Sequence, residues 1–423
     1  MALSNMVRRL CLYNLFNSLA ITPACNVIFA DKLMLRMEID LDLFGMIKGF
    51  TYLIPTVLYQ LAVPLLQRLK NDVGVTVWCY LLRALLPALL PILALFTDNK
   101  SVLTLSCILI FSTAMTMAVF ANNSLLAIYR TALPKEDFNS KSGLIALCTS
   151  MPARLLGLPL AWWLDQYETA SNHTFFMIFA LIHLLCLLFE IPAFRQMRGM
   201  NRKIRGKRKT AHHTRGGMLS PYFDRIFAPV LGIQVLQGIL FGLIGAYLTV
   251  YLLKGAGLSL SVVTMISTGL AVLLYLSLPV CGAVADRIGY QRLFFILSSV
   301  MLAGHVLFCS VWDQFWVLML FMLIMGDGNT ALVSGSLQWG LNAAASKLLR
   351  RSLSGCYIAA LSVCFNGGIF AGSLLAGWLF SLALRTIDGD VYRQYFLYTL
   401  AFSVLLFLAA GIYRFHAFRR AKN

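Results

Sequence analysis

Uninterrupted apolar runs of about 20 residues recur along the whole chain, and they restrict the folds open to it. Each run is long enough to cross the roughly 30 Å hydrocarbon core of a bilayer as a helix. Backbone groups inside hydrocarbon must be hydrogen-bonded within the protein, which leaves helices and closed barrels. The runs are continuous and do not alternate between apolar and polar residues, so they predict helices. We therefore expect an all-α membrane protein without a separate soluble domain.

The composition agrees with a chain that lies mostly in lipid, since 59% of the 423 residues are hydrophobic and only 12% are charged. A soluble domain of this length would need more charged surface. The predicted spans are 10–31, 43–66, 76–96, 101–126, 143–164, 174–194, 227–252, 261–284, 292–312, 315–339, 353–381 and 395–415. One long connection, 195–226, separates six spans from six. It predicts an N-terminal bundle over 1–194 and a C-terminal bundle over 227–423.

The net charge of +18 follows the loops and does not mark a nucleic-acid site. Basic residues are concentrated in every second loop, as expected when those loops and both termini lie in the cytoplasm. The residues that show this are Arg8, Arg9, Arg68, Lys70, Arg130, Lys135, Lys141, Arg287, Arg292, Lys347, Arg350, Arg351, Arg414, Arg419, Arg420 and Lys422. The basic 195–226 loop is typical of a cytoplasmic linker that contacts anionic lipid headgroups. The pattern predicts a multi-pass protein of a bacterial-type inner or plasma membrane.

The two halves of the chain share spaced residues, which indicates an internal repeat. Lys135 precedes Ser142-Gly143 by the same interval as Lys347 precedes Ser354-Gly355. Asn14 and Asn17 near the start of the first span match Gln234 and Gln237 in the seventh. Two repeats of six helices are expected to enclose a cavity at the midplane of the membrane.

Residues 282–292 read Gly-Ala-Val-Ala-Asp-Arg-Ile-Gly-Tyr-Gln-Arg, between the eighth and ninth spans. This stretch resembles the G-x-x-x-D-R-x-G-R-(K/R) loop of the major facilitator superfamily (MFS), with Gly282, Asp286, Arg287 and Gly289 in register. The resemblance implies a monomer of two six-helix bundles related by a pseudo-two-fold axis. It also implies transport by alternating access, with the first, fourth, seventh and tenth helices lining the cavity.

The chain departs from that family at several points. Gln67 replaces the acid of the same signature after the second span, the fifth span lacks the Gly-Pro element of drug antiporters, and the Pro-Glu-Ser signature of sugar porters is missing. The subfamily is therefore left open. Asp286 lies at a helix end, where it can meet a helix N-terminus or a base in one state of the cycle. The 282–292 stretch, with Arg292, is read as a gating loop, and a plain turn is the alternative.

Charged residues inside apolar runs are expensive to keep there, so they are candidates for function. Arg154 lies near the middle of the fifth span and can hold a carboxylate or phosphate with two hydrogen bonds. Asp327 lies in the tenth span between glycines, and a lone carboxyl group at that depth suits a proton-binding site. The alternative is that Arg154 and Asp327 form a permanent ion pair. Arg83 and Lys48 are weaker candidates whose long side chains can extend to the interface.

Uncharged polar side chains add hydrogen-bonding groups within the spans. The candidates for substrate contact are Asn14, Asn17, Asn122, Asn123, Gln234, Gln237, Asn329 and Asn366. Their alternative use is hydrogen bonding between helices. The tryptophans near span ends, among them Trp162, Trp312, Trp316 and Trp378, are typical of an interfacial aromatic belt.

These features together predict a secondary active transporter that moves an organic acid, a sugar acid or a sugar. Protons are the expected coupling ion, in symport, because Asp327 stands alone and no sodium cage is visible. No phosphate-binding Gly-x-x-x-x-Gly-Lys-Ser/Thr loop, cofactor motif or metal-ligand spacing occurs, so neither an enzyme nor a cofactor is expected. The alternatives are an efflux transporter for amphipathic compounds, a channel, or a transport-inactive sensor.

Overall fold

A computed structural model describes residues 5–25, 27–69, 72–132, 138–207, 220–224, 227–312, 314–326, 331–348, 354–386 and 389–422. All regular secondary structure in these residues is helical. The helices are α1 (Asn5–Ala20), α2 (Thr22–Cys25), α3 (Val27–Arg36), α4 (Leu43–Leu69), α5 (Asp72–Ala94), α6 (Lys100–Ala132), α7 (Phe138–Asp165), α8 (Asn172–Leu187), α9 (Glu190–Lys207), α10 (Ser220–Phe223), α11 (Ala228–Val250), α12 (Leu260–Ile288), α13 (Tyr290–Ser310), α14 (Phe315–Ile324), α15 (Leu332–Leu348), α16 (Ser354–Thr386) and α17 (Val391–Lys422). A π-helical turn, Tyr251–Gly255, continues α11.

The helices fall on the predicted spans, which confirms the all-α membrane class. Eight stretches of the described chain are long and apolar enough to cross a membrane. They are Val73–Ala94, Lys100–Asn122, Asn172–Arg198, Ala228–Gly255, Leu260–Ala285, Tyr290–Ser310, Ala359–Thr386 and Val391–Phe415. Of the four other predicted spans, the second and fifth run through residues whose side chains are not described. The first and tenth spans are divided.

Two spans that the hydropathy predicted as continuous helices are interrupted, so the prediction was wrong at those points. The first span is interrupted at Ile21, between α1 and α2 and two residues before Pro23, which has no N–H for a helical hydrogen bond. In the tenth span α14 ends at Ile324, and Gly326 follows with a φ of +47°. Positive φ suits glycine, and it cannot continue a right-handed helix. The apolar content of a run predicts that it spans the membrane. A single proline or glycine can nevertheless interrupt the helix within that span.

The sixth span also differs from its predicted form. It consists of α8 and α9, separated by a turn at Leu188 and Phe189. Pro192 lacks the N–H that would pair with the carbonyl of Leu188, which explains the break. Helix α9 then continues to Lys207, so the basic connection begins on a helix. The predicted domain boundaries at 194 and 227 stay a prediction.

The chain divides into two compact units. The first unit comprises Met1–Ile39, Val57–His213 and Ser259–Met265. The second comprises Asp40–Thr56, Thr214–Leu258 and Ile266–Asn423. Helices α4 and α12 therefore contribute residues to both units.

The core of the first unit is formed where α1, α5, α6 and α9 meet. Its members are Val7, Leu10, Tyr13, Val73, Val77, Tyr80, Ala121, Leu125, Ile128, Ala193 and Met197, all less than a tenth exposed. Within each helix they recur at intervals of three, four or seven residues, which is one face of an α-helix. The faces of four helices thus close on one another around Tyr13 and Tyr80.

The second unit contains a close helix crossing built on glycine. Gly238 and Gly242 on α11 face Gly368 and Gly372 on α16, and the two glycines of each helix are separated by three residues. A Cβ atom at Gly372 would lie 2.8 Å from the carbonyl carbon of Ile239, closer than real Cβ contacts allow. Small residues at such spacing let helix backbones approach in a membrane, where van der Waals packing drives association. The crossing brings α11 into a defined position against α16.

A cluster of aromatic rings forms another part of the second unit's core. Phe308 and Phe321 stack with centroids 4.1 Å apart, and Phe396 meets Phe308 edge-on at 5.4 Å. Trp312 belongs to this cluster, is 7% exposed, and donates from Nε1 to Asp390 at 2.6 Å. Its assignment to an interfacial belt was therefore wrong, whereas Trp162, Trp316 and Trp378 are more than half exposed.

Candidate functional site

The two asparagines of α1 are buried in the first unit. Asn14 and Asn17 are each 1% exposed, and α1 packs against α7 and α9. The Nδ2 of Asn14 donates to the carbonyl of Leu10 in its own helix at 2.8 Å. The Oδ1 of Asn17 is buried and has no hydrogen-bond partner among the described residues. Asn17 therefore retains an unused acceptor within the membrane region.

Of the two charged residues that the sequence ranks first, the structure describes Arg154 and not Asp327. Arg154 is half-buried in α7 and is engaged by another group. Asp327 and Asn329 lie outside the described residues. The roles predicted for Arg154 and Asp327, and the alternative of an ion pair between them, remain predictions.

A row of amides joins α11 to α15 in the second unit. Gln234 is 0% exposed and donates from Nε2 to the Oε1 of Gln338 at 3.0 Å. Gln237 is 3% exposed and donates from Nε2 to the backbone carbonyl of Ser334 at 2.9 Å. The Oε1 atoms of Gln234 and Gln237 are both buried without a partner among the described residues. The structure thus brings the predicted pair together with Gln338, and leaves two acceptors unused.

A second polar group lies where α5 meets α6 in the first unit. The hydroxyl of Tyr80 donates to the Oδ1 of Asn122 at 2.5 Å. The guanidinium carbon of Arg83 is 6.0 Å from the centre of the Tyr80 ring, and its buried Nε has no hydrogen-bond partner in the part of the chain that the structure describes. Asn122 was predicted as a site residue, and its own side chain is exposed. The side chain of Asn123 lies outside the described residues.

Lys48 and Asn366 take different places in the second unit. The Lys48 Nζ donates to the carbonyls of Gly245 and Ala246 on α11, both at 2.9 Å. The ammonium group is therefore held against another helix, α11. Asn366 is half-buried in α16.

The gating loop predicted around residues 282–292 is the junction of α12 and α13. Helix α12 ends at Ile288, and Gly289 adopts a φ of +83°, which explains why glycine occupies that position. Arg287 and Arg292 are exposed. The surroundings of Gly282 and of the Asp286 side chain are not described, so the gating role of this loop stays a prediction.

Sequence reasoning missed two polar residues that the structure brings forward. Glu190 at the start of α9 is 7% exposed, and its Oε1 is buried without a partner among the described residues. Gln338 accepts the hydrogen bond from Gln234. Both lie inside predicted apolar runs, and that position is the signal that should have added them to the candidates. The described residues contain no group of three or more His, Cys, Asp or Glu side chains that could hold a metal ion.

The fold is shared with several solved transporters. A mutant of the nucleoside transporter NupG superimposes with a TM-score of 0.72 at 13% identity, covering 97% of this chain and 100% of NupG. A bacterial homologue of the iron transporter ferroportin, in an inward-facing state, gives 0.68 at 15% identity over 98% of this chain and all of the homologue. The xylose transporter XylE from E. coli gives 0.63 at 12% identity over 95% of each chain. At these identities the similarity shows the fold alone.

Sequence comparison identifies the family. A search of curated protein sequences finds no significant match to this chain. Residues 41–348, more than half of the chain, match the family model described as MFS/sugar transport protein. The resemblance of the 282–292 loop is thereby confirmed, and so is the expected MFS fold. The chain belongs to the MFS/sugar transport protein family of the major facilitator superfamily.

Proposed function

We propose that this secondary transporter is a proton symporter for a small polar metabolite of the organic-acid, sugar-acid or sugar class. Family and fold are those of secondary transporters. We further propose that it works as a monomer in a bacterial-type plasma membrane, with both termini in the cytoplasm. Arg154 is retained as a proposed contact for an anionic group on the solute.

The amide of Gln237 is the observation that carries the proposal for the solute. A backbone carbonyl only accepts hydrogen bonds, so Gln237 must present its Nε2 to Ser334. Its Oε1 therefore faces away from that contact, buried and without a partner among the described residues. A buried acceptor without a partner is costly, and a hydroxyl group of a bound solute would satisfy it. Gln234 repeats the arrangement one turn away.

The names of related proteins favour the same class of solute. The matched family is described by sugar transport, and XylE and NupG are named as xylose and nucleoside transporters. Xylose and nucleosides both carry several hydroxyl groups that can donate hydrogen bonds. A hydroxyl-bearing metabolite is therefore the solute that the amides and the family description support together.

Counterflow in proteoliposomes tests the proposal. Vesicles loaded with one unlabelled sugar, sugar acid or organic acid are diluted into the same labelled compound, and trans-stimulated uptake is measured. A carrier shows trans-stimulation because the loaded site returns faster than the empty one. A channel would give uptake without trans-stimulation, and a transport-inactive sensor would give neither. Either result would contradict the proposed function.

Replacing Gln237 with methionine is expected to raise the KM for the exchanged solute about tenfold, because one hydrogen bond to the solute is lost while volume is kept. The matched control is Gln314→Met, which changes an exposed glutamine at the start of α14. Initial rates of counterflow over a range of solute concentrations give the KM of the wild type and of each variant. An unchanged KM in Gln237→Met would remove this residue from the binding site.

Two acids are proposed to take part in proton coupling. Asp327 was predicted from the sequence, and Glu190 is supported by its burial and by the absence of a described partner. A carboxyl group in such a place is expensive to keep charged, and a proton-binding site uses that cost. The charged side chains described on helices packed against α9 are Arg8, Arg9, Arg83 and Lys100. None of these forms an ion pair with Glu190.

Glu190→Gln and Asp327→Asn are each expected to abolish solute accumulation driven by a pH gradient while counterflow persists. A permanently neutral side chain still permits exchange of the loaded carrier, but it can no longer couple the return step to proton release. Accumulation is measured in proteoliposomes with an inward proton gradient, with and without a protonophore. Glu168→Gln is the matched control, because Glu168 already pairs with Lys32 at 2.5 Å. Equal solute accumulation by the wild type with and without the proton gradient would exclude proton coupling by either acid.

A further inference from the structure

We propose that Arg83, together with Asn122 held by Tyr80, forms a binding site for a carboxylate group of the transported solute. This inference rests on the proposed transport function and makes its solute class narrower, towards acids. It places an anion contact on α5 and α6 in the first unit. From the sequence, Arg83 was a weaker candidate whose side chain was expected to extend to the interface.

The position of Arg83 rules out the interface as its partner. Arg83 is the central residue of α5, Asp72–Ala94. At a rise of 1.5 Å per residue, the middle of this helix lies about 16 Å from either end, farther than an arginine side chain extends. Its guanidinium is therefore kept at membrane depth, where an unpaired charge is expensive.

The described surroundings of Arg83 do not balance that charge. Within the described part of the chain, its Nε atom is buried without a hydrogen-bond partner, and its guanidinium forms no ion pair. Among the described residues, Arg83 meets the face of Tyr80 at 6.0 Å from the ring centre, which is the outer limit of a cation–π interaction. A guanidinium with open donors and weak compensation is poised to receive an anion.

Tyr80 connects Arg83 to a second donor, the amide of Asn122. Tyr80 and Arg83 are three residues apart, so they lie on the same face of α5. The Tyr80 hydroxyl donates to the Oδ1 of Asn122 at 2.5 Å, which turns the Nδ2 of that amide away from the ring. Asn122 is exposed, and among the described residues it makes no other hydrogen bond. The cluster thus presents a guanidinium and an amide NH₂, both donors.

Donors with one positive charge specify the chemistry of the group they would hold. A carboxylate offers two oxygens in a plane that match the guanidinium fork, and a further lone pair for the amide. A neutral hydroxyl would use one donor and leave the charge unbalanced. A phosphate shares the oxyanion chemistry, but its second charge would face a single cation. We therefore assign the cluster to a monocarboxylate.

Isothermal titration calorimetry on the purified full chain tests the assignment with matched pairs of compounds. The pairs are D-glucuronate with D-glucose, and L-lactate with propane-1,2-diol; D-glucose 6-phosphate tests phosphate. We expect at least one carboxylate to bind more tightly than its neutral partner. Arg83→Gln should weaken that carboxylate about tenfold or more, since a charge-assisted hydrogen bond is lost. Binding of the neutral partner should change much less.

Two further variants keep the test decisive. Asn122→Asp preserves shape at an exposed position and adds a negative charge, so it should also weaken the carboxylate selectively; it carries the test if Arg83→Gln does not fold. Arg414→Gln is the matched control, because Arg414 also lies over an aromatic ring, Phe295, at 4.8 Å, but on α17. It should bind like the wild type.

Three results would overturn the assignment: no carboxylate binds the wild type, Arg83→Gln and Asn122→Asp bind it unchanged, or glucose 6-phosphate binds in its place. These outcomes are separable from failure of the proposed function. A wild-type protein that exchanges neutral sugars in counterflow but binds no carboxylate remains a transporter without this anion site. Absence of counterflow with every compound would remove the proposed function itself.

Discussion

Gly372→Ala is expected to destabilise the protein by about 2–3 kcal/mol, the upper part of the range for overpacking of a filled core. The added Cβ would collide with the backbone carbonyl of Ile239, and backbone atoms cannot move aside as a flexible side chain can. Helices α11 and α16 would then have to move apart at this crossing, where Gly238 and Gly368 also lie close to the opposite backbone. The midpoint of thermal unfolding in detergent, followed by scanning fluorimetry, should fall, together with the monodisperse fraction after solubilisation.

Gly232→Ala is the matched control, because it makes the same change on α11 at a position where a Cβ would meet no atom within 4 Å. At that position alanine should be neutral or stabilise slightly, since glycine costs up to about 1 kcal/mol relative to alanine inside a helix. Equal melting temperatures for the two variants would show that α11 and α16 do not depend on this close approach.

Leucine at His305 is expected to lower the free energy of unfolding by about 2–3 kcal/mol, the cost of leaving buried partners without hydrogen bonds. His305 is 0% exposed, and its Nε2 faces the backbone carbonyl of Phe396 at 3.1 Å. Because a carbonyl only accepts, the proton lies on Nε2, and Nδ1 accepts from the hydroxyl of Ser403 at 2.7 Å. Leucine fills the space but leaves the Ser403 hydroxyl without this partner. Thermal unfolding measures the loss.

His183→Leu provides the comparison in the first unit. His183 is also buried, but its Nδ1 bonds to the carbonyl of Phe179, four residues earlier in the same helix, at 3.0 Å. That carbonyl keeps its helical bond when the ring is removed, so the variant should melt close to the wild type.

Folded His305→Leu should also retain proton-driven accumulation, because both ring nitrogens serve packing. Loss of coupling at full stability would instead mark His305 as a proton relay.

The membrane class and the positions of the helices could be predicted because each depends on a local property. An apolar run of sufficient length must become a helix in lipid, whatever it packs against. The MFS fold was reached in the same way, from the 282–292 loop and the division of the spans by one long connection. The local reasoning was wrong where a single residue overrode the run, at Pro23 in the first span and at Gly326 in the tenth.

The candidate site was predicted less completely. Gln234 and Gln237 were found from their spacing, yet Gln338 and Ser334, which orient them, lie about a hundred residues away in sequence. Arg83 was ranked low because its depth was counted from an approximate span boundary. The structure makes it the central residue of α5. Glu190 was overlooked near the end of a span, although its carboxyl group is buried.

The sequence by itself determined that this chain crosses a membrane as a set of helices and belongs with the major facilitator superfamily. Those conclusions follow from the length and hydropathy of runs, from charge in loops, and from a short motif. Only the tertiary structure decided which polar groups keep unused hydrogen-bonding capacity, among them the Oε1 of Gln237 and the guanidinium of Arg83. Whether a polar atom is satisfied depends on what other helices bring within about 3 Å of it. That distance is set by packing between distant segments, as at the glycine crossing of α11 and α16.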